Sequence, residues 1–375
     1  MWFALAAIAL LPIATAMNHW NDFSAFWSAG GTVGTSSLVD AQAHAAWQVA
    51  HGLPADAWRY PPVYAFVYWP LALLPIGLAF ALNAVAMLAL VGVAGWLLAR
   101  IFDFEGRFGV WLAVAWTPLI AAVDMGQNAP LSVVLALWAI DAIRRDSRIE
   151  VGVAVGLLMY KPTLGLPLLG FLLLRGCWRS VTVASAVVVA GYLLSVVAAA
   201  GDWAWPVAWW NGMEALAAHD IAYNADKAVS VPSLLGRVSG LPGWLPYACG
   251  GFVVLVSLRG LLRAPIIEAA SAACMVGLVA GPRVWSYETG LMLPILGWVV
   301  AGGLGEPWRT RLVMASTAGA ILWMVSPVTR ISGLAVIVGL ATILWLRRWP
   351  PLAFVRWRRG QAPSVSPAVG EPHPS

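Results

Sequence analysis

Residues 61–99 read PPVYAFVYWPLALLPIGLAFALNAVAMLALVGVAGWLLA, without one charged side chain. A transmembrane helix needs about 20 predominantly apolar residues. This stretch is too long for a single crossing and too apolar for a water-soluble element. Four prolines, Pro61, Pro62, Pro70 and Pro75, punctuate its first half. Proline is tolerated at membrane depth where neighbouring helices satisfy the freed carbonyls. The stretch therefore predicts one crossing plus a re-entrant or interfacial piece. The whole chain agrees: 61% of its 375 residues are hydrophobic and 10% are charged, against roughly 25% charged in a soluble domain. Mean hydropathy is +0.80. The expected class is an all-α polytopic membrane protein.

Apolar runs broken by charge or by Pro/Gly clusters predict spans at 2–17, 61–99, 108–123, 129–143, 149–174, 180–199, 242–257, 266–282, 285–303, 311–325 and 330–346. The run 149–174 contains Pro162 and Pro167 and is long enough to fold back on itself. The run 2–17 is as short as a signal peptide. It has no basic start and many apolar segments follow, so it reads as a retained first span. Arginines recur at every second boundary: Arg100 and Arg107, Arg144 to Arg148, Arg175 and Arg179, Arg259 and Arg263, Arg309 and Arg311, then Arg347 to Arg359. They mark the cytoplasmic side. The opposite loops are 18–60, 124–128, 160–163, 200–241, 282–287 and 326–329. Residues 1–346 are expected to form the membrane domain, with 18–60 and 200–241 as extracytoplasmic loops. Residues 347–375 are expected to form a basic, then disordered, cytoplasmic tail. Residues 38–51, with Leu38, Ala41, Ala45 and Val49 on one side, predict a short interfacial helix. Short loops and high Ala, Gly, Val and Leu content suit a bacterial inner membrane.

Composition also excludes some chemistry. Cys177, Cys249 and Cys274 are scattered in or beside apolar segments and show no metal-ligand spacing, so they read as small apolar fillers. The five histidines form no ligand pattern, and no Asp-x-Asp motif occurs. No cofactor or metal is expected. The net charge of +5 sits in short loops and at the C-terminus, which is membrane topology and not a nucleic-acid footprint.

The polar residues that need a reason lie in the outer loops. Asp22 follows the first span, in Asn18-His19-Trp20-Asn21-Asp22-Phe23. A carboxylate beside a lipid boundary is costly to dehydrate and marks a functional site by default. Lys161, in Tyr160-Lys161-Pro162-Thr163, either binds an anion such as a lipid phosphate or snorkels to the headgroups. Arg283 is the late arginine on the outer side; it either has a specific task or pairs with Glu288. Gln127 and Asn128 are placed to bond sugar hydroxyls, although capping the helix that begins near Pro130 is the simpler role for Asn128. Most of the many tryptophans in 18–60 and 200–241 are interface anchors. Anchoring does not account for the acids, amides and histidines on the same side.

Three segments together resemble glycosyltransferase family 87. They are Arg59-Tyr60-Pro61-Pro62 with Pro70 to Pro75; Asp124-Met125-Gly126-Gln127-Asn128 through Lys161-Pro162-Thr163 to Arg179; and Gly281-Pro282-Arg283 with Tyr287-Glu288 and Leu293-Pro294. The resemblance covers roughly residues 18–300. It implies a GT-C type fold with about 11–13 transmembrane helices and an extracytoplasmic active site. It implies transfer of a hexose, mannose in the family, from a polyprenyl-phosphate donor to an acceptor hydroxyl. Carried over by position, Asp22 is the general base and Lys161 contacts the donor phosphate. Arg283 and Arg59 are further phosphate candidates. Tyr60, Gln127, Asn128, His219, Asn224, Tyr287 and Glu288 are candidates for sugar or acceptor contacts. Base and cations suffice for this chemistry: the acceptor loses a proton as the phosphate leaves. The expected partners are the polyprenyl-phosphate sugar, a glycolipid or glycan acceptor, and membrane lipids, with no nucleic acid. Glu288 stands where the family more often has Asp or His, and Gly281 where Ser is common. Two other classes fit an intramembrane charge set, a lipid or glycan transporter and a non-catalytic scaffold. Clustering of the ionisable groups on one face, not at the midplane, counts against transport.

Overall fold

The computed structural model describes residues 22–56, 58–212, 228–236 and 240–303. The expected spans 2–17, 311–325 and 330–346 lie outside these residues, as do His219 and Asn224. Every extended element among the described residues is helical, apart from one isolated bridge between Ala228 and Trp285. The helices are α1 (Phe23–Gly31), α2 (Ala41–Ala50), α3 (Ala65–Ala72), α4 (Ile76–Phe102), α5 (Gly106–Ala115) and α6 (Thr117–Asp124). Then come α7 (Ala129–Arg144), α8 (Arg148–Leu158), α9 (Pro162–Leu174), α10 (Trp178–Ala198), α11 (Val231–Leu235), α12 (Leu245–Arg263), α13 (Ile266–Ala280) and α14 (Leu293–Trp298).

Among the described residues α4, α10 and α12 are long and apolar enough to cross a membrane. The pair α5–α6, bent by 63°, makes a fourth if counted as one broken span. The bend falls at Trp116, just before Pro118 in the first turn of α6; Pro118 has no N–H to continue the preceding helix, and its ring would clash with the carbonyl four residues earlier. The stretch 61–99 divides at Leu73-Leu74-Pro75 into short α3 and the 27-residue α4. The run 149–174 folds back, with α8 and α9 meeting at Met159–Lys161. The expected single span at 285–303 is a composite instead: a 3-10 turn at Ser286–Met292, α14, and a π turn at Val299–Gly303. Pro294, at the second position of α14, accounts for the restart there.

The bundle has two chemically different ends. At one end Arg100 holds Asp141 through two hydrogen bonds, 3.0 and 2.7 Å. Arg145 reaches the same carboxylate at 2.9 Å and Glu150 at 2.6 Å. Asp141 is buried, so removing either arginine weakens the compensation of a desolvated charge. Helix α7 runs from this cluster to Asn128, about 24 Å away at 1.5 Å per residue, and α8 returns to Lys161 at that far end.

At the far end, aromatic rings tie the entry helices together. Phe23 packs edge-on against Phe80, 5.3 Å between centroids, and Phe26 lies 4.8 Å from Tyr68. Gly30 lets α1 and α3 touch: a Cβ there would sit 2.5 Å from the Tyr68 carbonyl oxygen. Helix α2 forms where an interfacial helix is expected, started by Asp40, whose carboxylate accepts from the Gln42 and Ala43 amides. Val49 is exposed, while His44 and Gln48 face inward.

Candidate functional site

Asp22 stands at the N-terminus of α1, yet its side chain makes no bond to that helix. It accepts instead a 2.6 Å hydrogen bond from Gln127 Nε2. Local sequence produces this meeting. Helix α6 ends in a paired-bond stop: Gln127 N–H donates to Ala122 O at 2.7 Å and Gly126 N–H to Val123 O at 3.0 Å. The stop needs a left-handed residue, and Gly126 has φ +72°. A Cβ on Gly126 would lie 2.5 Å from the Phe23 Cβ, so only glycine brings Gln127 against the start of α1.

Lys161 closes the α8–α9 turn, where Pro162 fixes the first position of α9. Its ammonium is buried, 3.2 Å from Glu288 Oε1, and both side chains are under 10% exposed. The contact is an ion pair without hydrogen-bond alignment, so the three ammonium donors lack a hydrogen-bond partner among the described residues. The rings of Tyr60 and Tyr287 flank Nζ at 5.5 and 5.6 Å, within cation–π range. Glu288 is itself oriented, its Oε2 accepting from the Trp285 N–H at 3.1 Å.

The sequence left open whether Glu288 pairs with Arg283; the structure pairs it with Lys161. Arg283 is half-buried and makes no ion pair among the described residues. Its turn is pinned from the 228–236 segment: Val229 N–H donates to Val284 O at 3.1 Å and Ser233 Oγ to Pro282 O at 3.2 Å. Arg59 is held by Asp56 at 2.9 Å.

Asn128 occupies the first cap of α7 but makes no side-chain cap bond, contrary to the simpler role expected for it. Its amide is buried, and neither polar atom has an aligned hydrogen-bond partner. It adjoins the Tyr60 and Tyr64 hydroxyls. Burial above all, and then the Glu288 carboxylate, raise the Tyr60 phenol above its ordinary pKa. Tyr60 therefore stays a neutral hydroxyl at any physiological pH.

These groups surround one cavity of about 770 Å³. Asp22, Arg59, Tyr60, Gln127, Lys161 and Arg283 line it, together with Tyr287 and Glu288. Thus segments separated by more than 250 residues in sequence meet at one end of the bundle. Asn128 stands behind the wall, not on it. Sequence reading passed over four contributors. Tyr160 lines the cavity and donates or accepts at 2.6 Å with Ser132 Oγ. Asp56 orients Arg59. Trp209 and Trp210 form part of the rim. The signal for Tyr160 was its place beside Lys161; Trp209 and Trp210 were indistinguishable from membrane anchors. Among the described residues no three His, Cys, Asp or Glu side chains gather in a metal-binding group.

The sequence profile of glycosyltransferase family 87 matches residues 58–327. Among similar proteins is a polyprenol-phosphate-mannose-dependent alpha-(1-2)-phosphatidylinositol pentamannoside mannosyltransferase of Mycobacterium tuberculosis, 27% identical over 292 residues, which cover 71% of this chain and 64% of the relative. The Mycolicibacterium smegmatis protein of the same name is 28% identical over 297 residues, 71% of this chain and 68% of the relative. The chain thus spans about two thirds of the length of these curated relatives. No solved structure matches it.

Proposed function

Because the chain belongs to glycosyltransferase family 87, we propose that it transfers mannose from a polyprenyl-phosphate donor to a hydroxyl of a membrane glycolipid. Both similar proteins carry names that specify a polyprenol-phosphate-mannose donor and a phosphatidylinositol-mannoside acceptor. The observation that carries the reading is the cavity, in which Asp22 shares the lining with the cations Lys161, Arg283 and Arg59, while the other two carboxylates, Glu288 and Asp56, are paired with Lys161 and Arg59.

In this reading Asp22 accepts the proton of the attacking acceptor hydroxyl. General-base assistance of this kind contributes roughly 10²–10⁴-fold. Gln127 holds the carboxylate in one orientation and leaves its other oxygen available. As the C1–O bond to the phosphate breaks, the bonding pair stays with the phosphate oxygen, and Arg283 and Lys161 stabilise the growing charge. The acceptor oxygen forms the new bond to C1 on the opposite face, which inverts the anomeric centre. Glu288 keeps Lys161 from filling the cavity centre with an unbalanced charge before the donor arrives. Neutral Tyr60, Tyr160 and Tyr287 supply hydroxyls and ring faces for the sugar. No metal is required, since a phosphate monoester leaves with a charge that these cations can meet. The cavity opens on the extracytoplasmic side of a bacterial inner membrane, opposite the Arg100–Arg145 cluster. Gathering of the polar groups at one end of the helices does not favour the transport reading.

The test uses purified protein in lipid nanodiscs with labelled mannosyl-phosphoryl-polyprenol, a phosphatidylinositol-mannoside acceptor, and EDTA. Formation of a mannosylated acceptor supports the reading. Flux of lipid-linked sugar across proteoliposomes with no transfer would replace it by transport.

A further inference from the structure

A second cavity of about 250 Å³ shares a wall with the first. Tyr247, Pro282, Arg283 and Trp285 line both. The two differ in chemistry. The larger holds Asp22, Lys161 and Glu288; away from the shared wall, the smaller is lined by Pro232, Leu235, Leu241, Pro242 and Pro246. The wall is built, not incidental: Ala228 bridges Trp285, and Ser233 binds the Pro282 carbonyl. The rim at Leu241, Trp244 and Tyr247 is exposed and apolar, the composition of a membrane–water boundary.

We propose that the smaller cavity seats the first isoprenyl units of the donor lipid, with the donor phosphate at Arg283 on the shared wall. The proposal rests on the function proposed above and adds the path of the lipid. The donor's phosphodiester carries the negative charge and joins the polar sugar on one side to the hydrocarbon chain on the other. Arg283 stands where the surroundings change in the same sense. From there the chain leaves between Leu241 and Tyr247 into the bilayer. The sugar, on the other side of the phosphate, points toward Asp22. Burial of isoprenyl units at this point adds affinity without touching the reacting carbon, so chain length acts mainly on KM.

Gly243 gives a clean test. It lines the smaller cavity, and a Cβ placed on it meets no atom within 4 Å. Gly243→Leu therefore adds bulk at the cavity lining from a position whose Cβ meets no neighbour. Two donors with the same mannosyl phosphate are compared, a short-chain one ending in a methyl ester with no isoprene unit and one carrying a long polyprenyl chain. For wild type the long-chain donor has the lower KM. Gly243→Leu should raise that KM about tenfold, a difference of about 1.4 kcal/mol, and leave the short-chain KM in place. A second measurement uses a photoreactive polyprenyl phosphate without sugar, with label expected in 232–236 and 240–247. If wild type turns over and Gly243→Leu changes neither donor, the lipid path is wrong and the proposed function stands. If Gly243→Leu raises only the acceptor KM, the cavity holds the acceptor's acyl chain and the assignment is overturned. If wild type transfers nothing from either donor, the proposed function fails, and the label alone decides: label in 232–236 or 240–247 keeps the lipid subsite, and label elsewhere removes it.

Discussion

Gln127 donates a 2.6 Å hydrogen bond to Asp22 across 105 positions of sequence, and the bond joins the end of α6 to the start of α1. It gives the carboxylate a fixed orientation at the cavity wall. Gln127→Ala should therefore lower kcat about tenfold while leaving the donor KM nearly unchanged. That is less than the roughly 100-fold or greater loss expected on removing the base itself. Steady-state kinetics with saturating acceptor separates the two parameters. An unchanged kcat would show that Asp22 needs no partner.

Gly126 makes that bond possible. With φ +72° and Phe23 2.5 Å from any added Cβ, Gly126→Ala strains the backbone by about 1–2 kcal/mol and pushes Gln127 away from Asp22. The expected result is a lower unfolding temperature together with a kcat loss like that of Gln127→Ala. Gly243→Ala, which meets open space, serves as the control glycine for stability.

The Lys161–Glu288 pair is buried on both sides. Breaking such a pair leaves an uncompensated charge and costs about 3–5 kcal/mol, whereas replacing both partners by apolar residues is often neutral. Glu288→Gln should lower the unfolding temperature in detergent. The double variant Lys161→Met with Glu288→Leu should recover most of the stability and still fail to bind the sugar-free polyprenyl phosphate. Full binding by the double variant would remove Lys161 from the phosphate site.

His44 is expected to make stability pH-dependent. Burial lowers its pKa from 6.5 to about 4, partly offset by a hydrogen bond that the imidazole donates to the Ser37 backbone. The unfolded chain takes up the proton below 6.5, the folded protein only below about 4. Between these values the unfolded state binds more protons, so stability rises with pH. The contribution is complete above pH 6.5 and is lost as pH falls toward 4. Unfolding temperatures at pH 7 and pH 4.5 should diverge for wild type and diverge less for His44→Asn. The imidazole bonds Ser28 Oγ at 3.0 Å, and Gln48 links that serine, at 2.8 Å, to the Asp56 N–H at 2.6 Å. Acid destabilisation should therefore loosen the loop that carries Arg59.

Much of this arrangement was legible in the sequence. The apolar runs gave the helices and the proline positions gave their breaks, because both are local properties. Asp22, Lys161 and Arg283 stood out because a charge at a membrane boundary needs a reason. Which charges meet was not legible. Glu288 is five residues from Arg283 and 127 from Lys161, yet it pairs with the distant residue, since the 3-10 turn at Ser286–Met292 aims it across the cavity. The expected span at 285–303 misled for a related reason: composition records apolar length and not the break that Pro294 marks between the 3-10 turn and α14. That Gln127 bonds Asp22 was not legible either, because a polar side chain in a loop does not reveal its partner. The glycine before it carried the usable signal, a helix stop with a left-handed residue. The smaller cavity was invisible, being made of prolines and leucines from segments that only tertiary packing brings together.

The central claim is that Asp22 removes the acceptor proton. The most direct measurement is single-turnover transfer of labelled mannose from a polyprenyl-phosphate donor by wild type and by Asp22→Asn, with donor binding recorded on the same preparations. The account predicts that the variant folds and binds donor like wild type, while transfer falls by at least about 100-fold. Transfer by Asp22→Asn at the wild-type rate would contradict it.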